Sequence, residues 1–443
     1  MKPHYSGALR SSVAVLLITT VFLVNAGAAS RSGINPSNFK NPRLSEKAVT
    51  VTSDDIVLQW NETATDATLG NPPFSSARWM AIVQLAVFEA VNSITGKYEP
   101  YLGTLNTSPN ASVEAAVAQA TYRVLKSYNL GGALNPTLDV RLANTLDGIP
   151  DGQAKTDGIA LGEAAAAAMI ADRAGDVVAG PLFTPTTAEP YNYQITPGCA
   201  GGAFMHWAAL RPFGMESPSQ FRVGPPPALD SGLYAQDLNE VKAYGDVNSQ
   251  VREAWQTNIA RLYQTAPGQH TWNEAARQIA AGRDDEATDT ARTLALTNMA
   301  TSDAYVSGFE AKYYYKTWRP VTSIPRADED GNKWTEAGPF TPLMSTPCFP
   351  SYPSNHGIGS GAARTVLVRA YGRFGHDITV ETPTNVGLTP LHYTDLKAMT
   401  DDIANARIWA GLHYRHDQDA AEVAGHAIGQ YVYNNTLRKV GDE

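Results

Sequence analysis

Three stretches in the last third of this 443-residue chain carry residue types that could grip an anion. Lys312, Lys316 and Arg319 recur at four- and three-residue steps, which on one helix would make a single stripe of cations. Pro320 would stop that helix and leave Arg319 at its end. The second stretch reads Pro350-Ser351-Tyr352-Pro353-Ser354-Asn355-His356-Gly357. Its prolines stiffen the approach, and a Ser-Asn pair ahead of a small-residue helix is capping chemistry that also offers a hydroxyl and backbone N–H groups to an oxyanion. His356 would sit at the positive end of that helix. In the third stretch, Gly411 can break a helix between Arg407 and His413 and let the two converge. Asp417, four residues after His413, can orient its imidazole. Each stretch alone also has a plain structural reading: a solvated basic stripe, a capping or core histidine, an ion-paired helix end. His413, His416 and Asp417 could instead form a divalent-metal site, although no second ligand cluster accompanies them.

Helical periodicity predicts the elements that must hold these groups. Between 77 and 94, Trp79, Ile82, Val83, Leu85, Ala86, Phe88 and Val91 recur at three- and four-residue steps. Residues 112–128 repeat the pattern with Ser112 as a candidate N-cap, and 152–172 contains an alanine run suited to close helix packing. Further helices are expected over 231–244, 250–263, 272–281, 287–318, 357–371, 394–411 and 417–437. From 178 to 227 the pattern breaks into Gly, Pro and Thr, including Pro225-Pro226-Pro227; a loop this long is a functional cover or a linker. Strand-like alternation is scarce, and no internal repeat is evident. The expected fold is mainly α, a large helical bundle or a pair of bundles, with the active site and its loops at one end.

Composition narrows the function. With 43% hydrophobic and 17% charged residues, the chain is neither disordered nor a coiled coil. Its 34 basic and 43 acidic residues give a net charge of −9, which argues against nucleic acid as a partner. Any bound anion must be held by a few concentrated cations. Lys2 and Arg10 precede an apolar run from Val13 to Val24 and then Ala26-Gly27-Ala28, a secretory leader over 1–28 that is either cleaved or kept as an anchor. No later stretch reaches about 18 consecutive apolar residues, so no integral membrane span is expected after cleavage. The expected organisation is the leader, an N-terminal helical region over 29–230, and a C-terminal catalytic region over 231–443, in a secreted or periplasmic protein. Cys199 and Cys348 form one disulfide there or remain two buried thiols.

Together the three stretches resemble the three-part signature shared by vanadium-dependent haloperoxidases and type-2 phosphatidic acid phosphatases. That signature reads Lys-six-Arg-Pro, Pro-Ser-Gly-His and Ser-Arg-five-His-three-Asp. It is matched at Lys312, Arg319, Pro320, Pro353, Ser354, His356, Arg407, His413 and Asp417. Asn355 stands where the family usually has glycine, and Ala406 where it has serine. Asn71-Pro72-Pro73 with 77–101, and 207–245, also look like soluble bacterial haloperoxidase-type proteins, so the likeness spans most of the chain beyond the leader.

The resemblance implies a cage of Lys312, Arg319 and Arg407 around an oxyanion, completed by the Ser354 hydroxyl and the Asn355 N–H. His413 would be the axial partner, bonding to vanadium in a peroxidase or attacking phosphorus in a phosphatase; Asp417 would fix its tautomer and His356 would be the acid–base group. The implied cofactor is vanadate, and the implied substrates are hydrogen peroxide, a halide and an organic acceptor. The alternative is a secreted acid phosphatase without cofactor, acting on a phosphate ester through a phosphohistidine; a phosphate-binding protein without turnover is a third reading. Phe349 is similar to the residue of chloride-oxidising relatives, where bromide enzymes often have histidine.

Overall fold

The computed structural model describes residues 53–441, apart from 131, 133–134 and 383–386. The expected leader, residues 1–28, lies outside the described residues. The architecture is mainly helical, as expected. Its first part comprises α1 (Ser53–Thr68), α2 (Pro73–Thr95), α3 (Val113–Ser127), α4 (Asn135–Asp147) and α5 (Gln153–Asp172). After the long loop come α6 (Gly232–Gly245), α7 (Ala254–Thr265), α8 (Gly268–Ala281) and α9 (Ala287–Tyr315). The last part holds the short α10 (Pro320–Ser323), α11 (Asn355–Tyr371), α12 (Leu396–Trp409) and α13 (Arg415–Asn435). One antiparallel hairpin, β1 (Phe374–Val380) with β2 (Leu391–Asp395), pairs Ile378 with Tyr393.

Local chemistry sets the helix ends. Ser112 accepts from the Ala115 N–H and caps α3, with Glu114 in the first turn where the helix dipole favours an acid. α2 is long and apolar enough to cross a membrane by length and composition, but 89% of its most apolar window is buried in the fold. It is apolar on nearly every side because it packs against α9, α3 and α5 at once. α9 runs between α2 and α11 and is buried for almost its whole length.

Two expectations change. The helix expected over 287–318 ends at Tyr315, because Lys316 adopts a left-handed conformation (φ 52°) and its N–H turns back to the Lys312 carbonyl. Lys316 is exposed and Arg319 lies beyond the helix end, so the three-cation stripe does not form. α1 and α4 were absent from the periodicity reading, since Thr, Asn and Asp interrupt their apolar faces. Gly411 does break the helix between Arg407 and His413, with φ +79°.

The 178–227 loop is stitched to the segments that enter the site. The Tyr193 N–H donates to the Lys316 carbonyl, the Trp318 N–H to that of Tyr191, and the Ala203 N–H to that of Cys348. Cys199 and Cys348 are bonded across 149 positions, a closure that chain entropy values at about 5 kcal/mol.

α11 and α13 approach so closely that glycine is required at the crossing: a methyl group on Gly425 would meet backbone atoms of Ile358 and Ala362. Gly425→Ala is therefore expected to destabilise the protein by about 1–3 kcal/mol in denaturant unfolding. Gly175→Ala, in open space, is expected to stay within about 0.5 kcal/mol of the parent.

Candidate oxyanion site

Four helix ends meet at the site. Lys312 lies in the last turn of α9 and Arg407 in the last turn of α12, where carbonyl ends favour cations. Ser354 caps the start of α11, and Asp417 lies in the first turn of α13. The structure brings Lys312, Arg319, Ser354, Asn355, His356, Arg407, His413 and Asp417 into this one region.

Arg319 joins three segments. Its Nε donates to the Phe349 carbonyl at 2.9 Å, and its Nη1 donates to the Leu412 carbonyl at 2.8 Å and to His413 Nε2 at 2.9 Å. Its Nη2 is buried with no protein partner. Lys312 takes up a bracing task beyond the one implied by resemblance. Its ammonium donates to the carbonyls of Pro350, Ser351 and Pro353 at 2.9, 2.6 and 2.5 Å, pinning the turn that leads into α11. Burial, then Arg319, pushes the Lys312 pKa down, while the three carbonyls call for all three ammonium protons. Arg407 donates from Nη1 to Gln264 Oε1 at 2.7 Å, and its Nε is buried without a partner. Burial, then Arg319, lowers Arg407 to about 9, so it stays charged at neutral pH.

His413 is oriented by a carboxylate. Its Nδ1–H donates to Asp417 Oδ2 at 2.7 Å, an assignment forced by the acceptor-only partner, which leaves Nε2 with its lone pair. Asp417 Oδ2 also accepts from the Ser351 hydroxyl at 2.6 Å and the Tyr414 N–H at 3.2 Å. Burial alone would raise the Asp417 pKa, but His413, His416 and Ser351 outweigh it and hold it at about 2. Burial and Arg319 push His413 well below the usual histidine value. His356, partly exposed, is pushed the same way by burial and then by Arg407, Arg319 and Lys312.

Both departures from the signature find room, although the Asn355 amide is buried with neither its Nδ2 nor its Oδ1 hydrogen-bonded. The Asn355 amide lies against Gly308 of α9, where any side chain would collide with its Oδ1, so the added bulk is received by a glycine. Ala406 is fully buried in the hydrophobic core. His416, of the metal site considered above, bonds Asp237 Oδ2 through Nδ1 at 2.6 Å, with its Nε2 3.7 Å from Asp417 Oδ1. Among the described residues no group of three His, Cys, Asp or Glu could hold a metal ion.

Sequence reasoning missed two contributors. Ser351 lies within the second stretch, and its hydroxyl two residues before Pro353 was the available signal; Gln264 stands 143 positions from Arg407 and gave none. Phe349, noted above, also lies under the cage, its ring centroid 5.3 Å from Lys312 Nζ and 5.2 Å from Arg319 Cζ. The ring also makes edge-on contacts with Phe74 and Phe309.

The residues fit a tetrahedral oxyanion. Lys312, Arg319 and Arg407 are each at most 1% exposed, and Asp417 is the carboxylate whose charge reaches Lys312 and Arg319. Two buried guanidinium N–H groups stand without protein acceptors beside a histidine lone pair. Such donors are costly unless an anion answers them.

Comparison with known proteins finds the same fold. The fold is that of bacterial vanadium-dependent haloperoxidases. It matches a bacterial vanadium-dependent iodoperoxidase with a TM-score of 0.75 at 24% identity, over 90% of this chain and 100% of that one. It matches a bacterial vanadium-dependent chloroperoxidase, in its holo form, with a TM-score of 0.67 at 17% identity, over 83% of this chain and 93% of that one. Residues 292–442 match the family described as the VCPO second helical-bundle domain. The vanadium chloroperoxidase of Curvularia inaequalis is 28% identical over 183 residues, 35% of this chain and 29% of that protein's length. The sequence likeness is thus concentrated in residues 292–442, the part that carries the oxyanion-site residues, and the chain spans under a third of the length of the curated relative.

An anion that offsets the three cations must raise the His356 pKa from its depressed value. Sulfate, which does not itself titrate near neutrality, is therefore expected to take up protons on binding at and below about pH 6.5 and to bind more weakly as pH rises. Calorimetry in buffers of different ionisation enthalpy reads this directly, and proton release on binding would contradict the arrangement.

Proposed function

We propose that this chain is a vanadium-dependent haloperoxidase, oxidising halide with hydrogen peroxide at a vanadate held by His413. The observation that carries the reading is the pair of buried, unpartnered N–H groups, Arg319 Nη2 and Arg407 Nε, beside an imidazole fixed in the tautomer that keeps the lone pair on Nε2, where it accepts from Arg319 Nη1. The family match and the haloperoxidase relatives support the same reading, and nothing among them favours the acid phosphatase alternative.

Arg319, Arg407, the Ser354 hydroxyl and the Asn355 N–H would hold the oxyanion, with Lys312 adding charge from behind the turn it braces. Bound vanadate supplies a Lewis acid that activates peroxide toward a halide. The chain supplies the rest. Asp417, steadied by Ser351, holds the His413 proton on Nδ1. His356, pushed toward its neutral form by burial and three neighbouring cations, offers an unprotonated ring nitrogen as the acid–base group. The Phe349 face excludes water from one side of the cations and strengthens their field. Export of the chain belongs to the same proposal: the leader motif and the Cys199–Cys348 bond both suit an oxidising compartment.

Purified protein is expected to brominate a phenol dye with hydrogen peroxide only after vanadate is added, with inorganic phosphate as a competing inhibitor. Vanadate-independent hydrolysis of an aryl phosphate without halogenation would overturn the proposal in favour of a phosphatase; tight phosphate binding with neither activity would leave a binding protein. His413→Ala is expected to abolish vanadate retention. His356→Ala is expected to retain the anion while turnover falls by about 10²-fold or more; parental activity in either variant would reject the assigned role.

A further inference from the structure

Among the described residues, buried guanidinium groups are, with one exception, matched by nearby negative charge. Arg78 and Arg173 share Asp176, with Nε to Oδ2 distances of 2.8 Å each. Arg277 pairs with Glu274, and the charge of Asp417 acts on Arg319. Arg407 is as deeply buried as any of them, at 1% exposure, yet among the described residues no carboxylate pairs with it. Its protein partner is a neutral amide, Gln264 Oε1, 2.7 Å from Nη1. Gln264 stands in the last turn of α7, which packs on the helix that carries Arg407.

We infer that Gln264 is a positioning residue that fixes the Arg407 guanidinium without neutralising it, and so sets how strongly the cage binds an oxyanion. This deepens the proposed function and rests on that reading of the site. A carbonyl oxygen at this place does two things. It accepts one N–H, which fixes the plane of the guanidinium and leaves Nε, buried and unpartnered, to face an anion. It also leaves the full positive charge uncompensated. A glutamate would accept the same N–H with nearly the same shape but would cancel the charge, so the bound oxyanion would meet a neutral pair in place of a cation.

The experiment measures dissociation constants for orthovanadate and inorganic phosphate by calorimetry, together with the thermal midpoint of the anion-free protein, for the parent, Gln264→Glu and Gln264→Ala. Gln264→Glu is expected to weaken both anions by about tenfold or more while its anion-free midpoint is unchanged or raised, because the new carboxylate relieves a buried unpaired cation. Gln264→Ala is expected to weaken binding less, with no rise in midpoint. Opposite movement of affinity and stability in Gln264→Glu is a signature that damaged packing does not produce. Binding by Gln264→Glu as tight as the parent, or a midpoint below that of Gln264→Ala, would overturn the inference while leaving the proposed function standing. A parent that binds neither anion would remove the proposed function itself, and this inference with it.

Discussion

The arrangement depends on an imbalance of buried charge. Three cations, Lys312, Arg319 and Arg407, are withdrawn from water where Asp417 is the carboxylate that reaches two of them. Left alone, such a group would be strongly unfavourable. The protein reduces the cost through backbone carbonyls: three for Lys312, and those of Phe349 and Leu412 for Arg319. Side chains take two more, His413 for Arg319 and Gln264 for Arg407; Arg319 Nη2 and Arg407 Nε keep no protein acceptor, and that residual demand selects for an anion. Net charge does not enter the argument, since a chain at −9 can still carry a positive pocket.

The same imbalance explains why the fold gathers helix ends. The starts of α11 and α13 present N–H groups, and the ends of α9 and α12 place cations against carbonyl termini. Close approach of α11 to α13 through Gly425 keeps Ser354 beside Asp417, whose carbonyl accepts the Ser354 N–H at 3.0 Å. The histidine, its carboxylate and the capped turn therefore share one rigid corner.

Much of this was legible in the sequence because it is local. The Ser354 cap, the break at Gly411 and the four-residue step from His413 to Asp417 follow from short-range rules, and each holds in the structure. The stripe of Lys312, Lys316 and Arg319 did not hold, because periodicity cannot foresee that Lys316 leaves the helix for a left-handed turn. Gln264 was invisible for a different reason: its contact with Arg407 is made by tertiary packing of α7 on α12. Ser351 sat in plain view among candidate residues, but its link to Asp417 depends on the path of the turn that Lys312 pins. The long loop was readable as a cover or a linker, and the Cys199–Cys348 bond, together with contacts to Lys316 and Trp318, fastens it to the segments around the site.

That bond has a bearing on survival among proteases. The turn around Lys333 and Trp334 is exposed and lies between the two cysteines in sequence, the kind of tip where chains are nicked. A cut there would separate Lys312 and Arg319 from His356, Arg407 and His413 along the backbone. Because Cys199 stays with the first fragment and Cys348 with the second, the severed halves would remain covalently tethered beside each other.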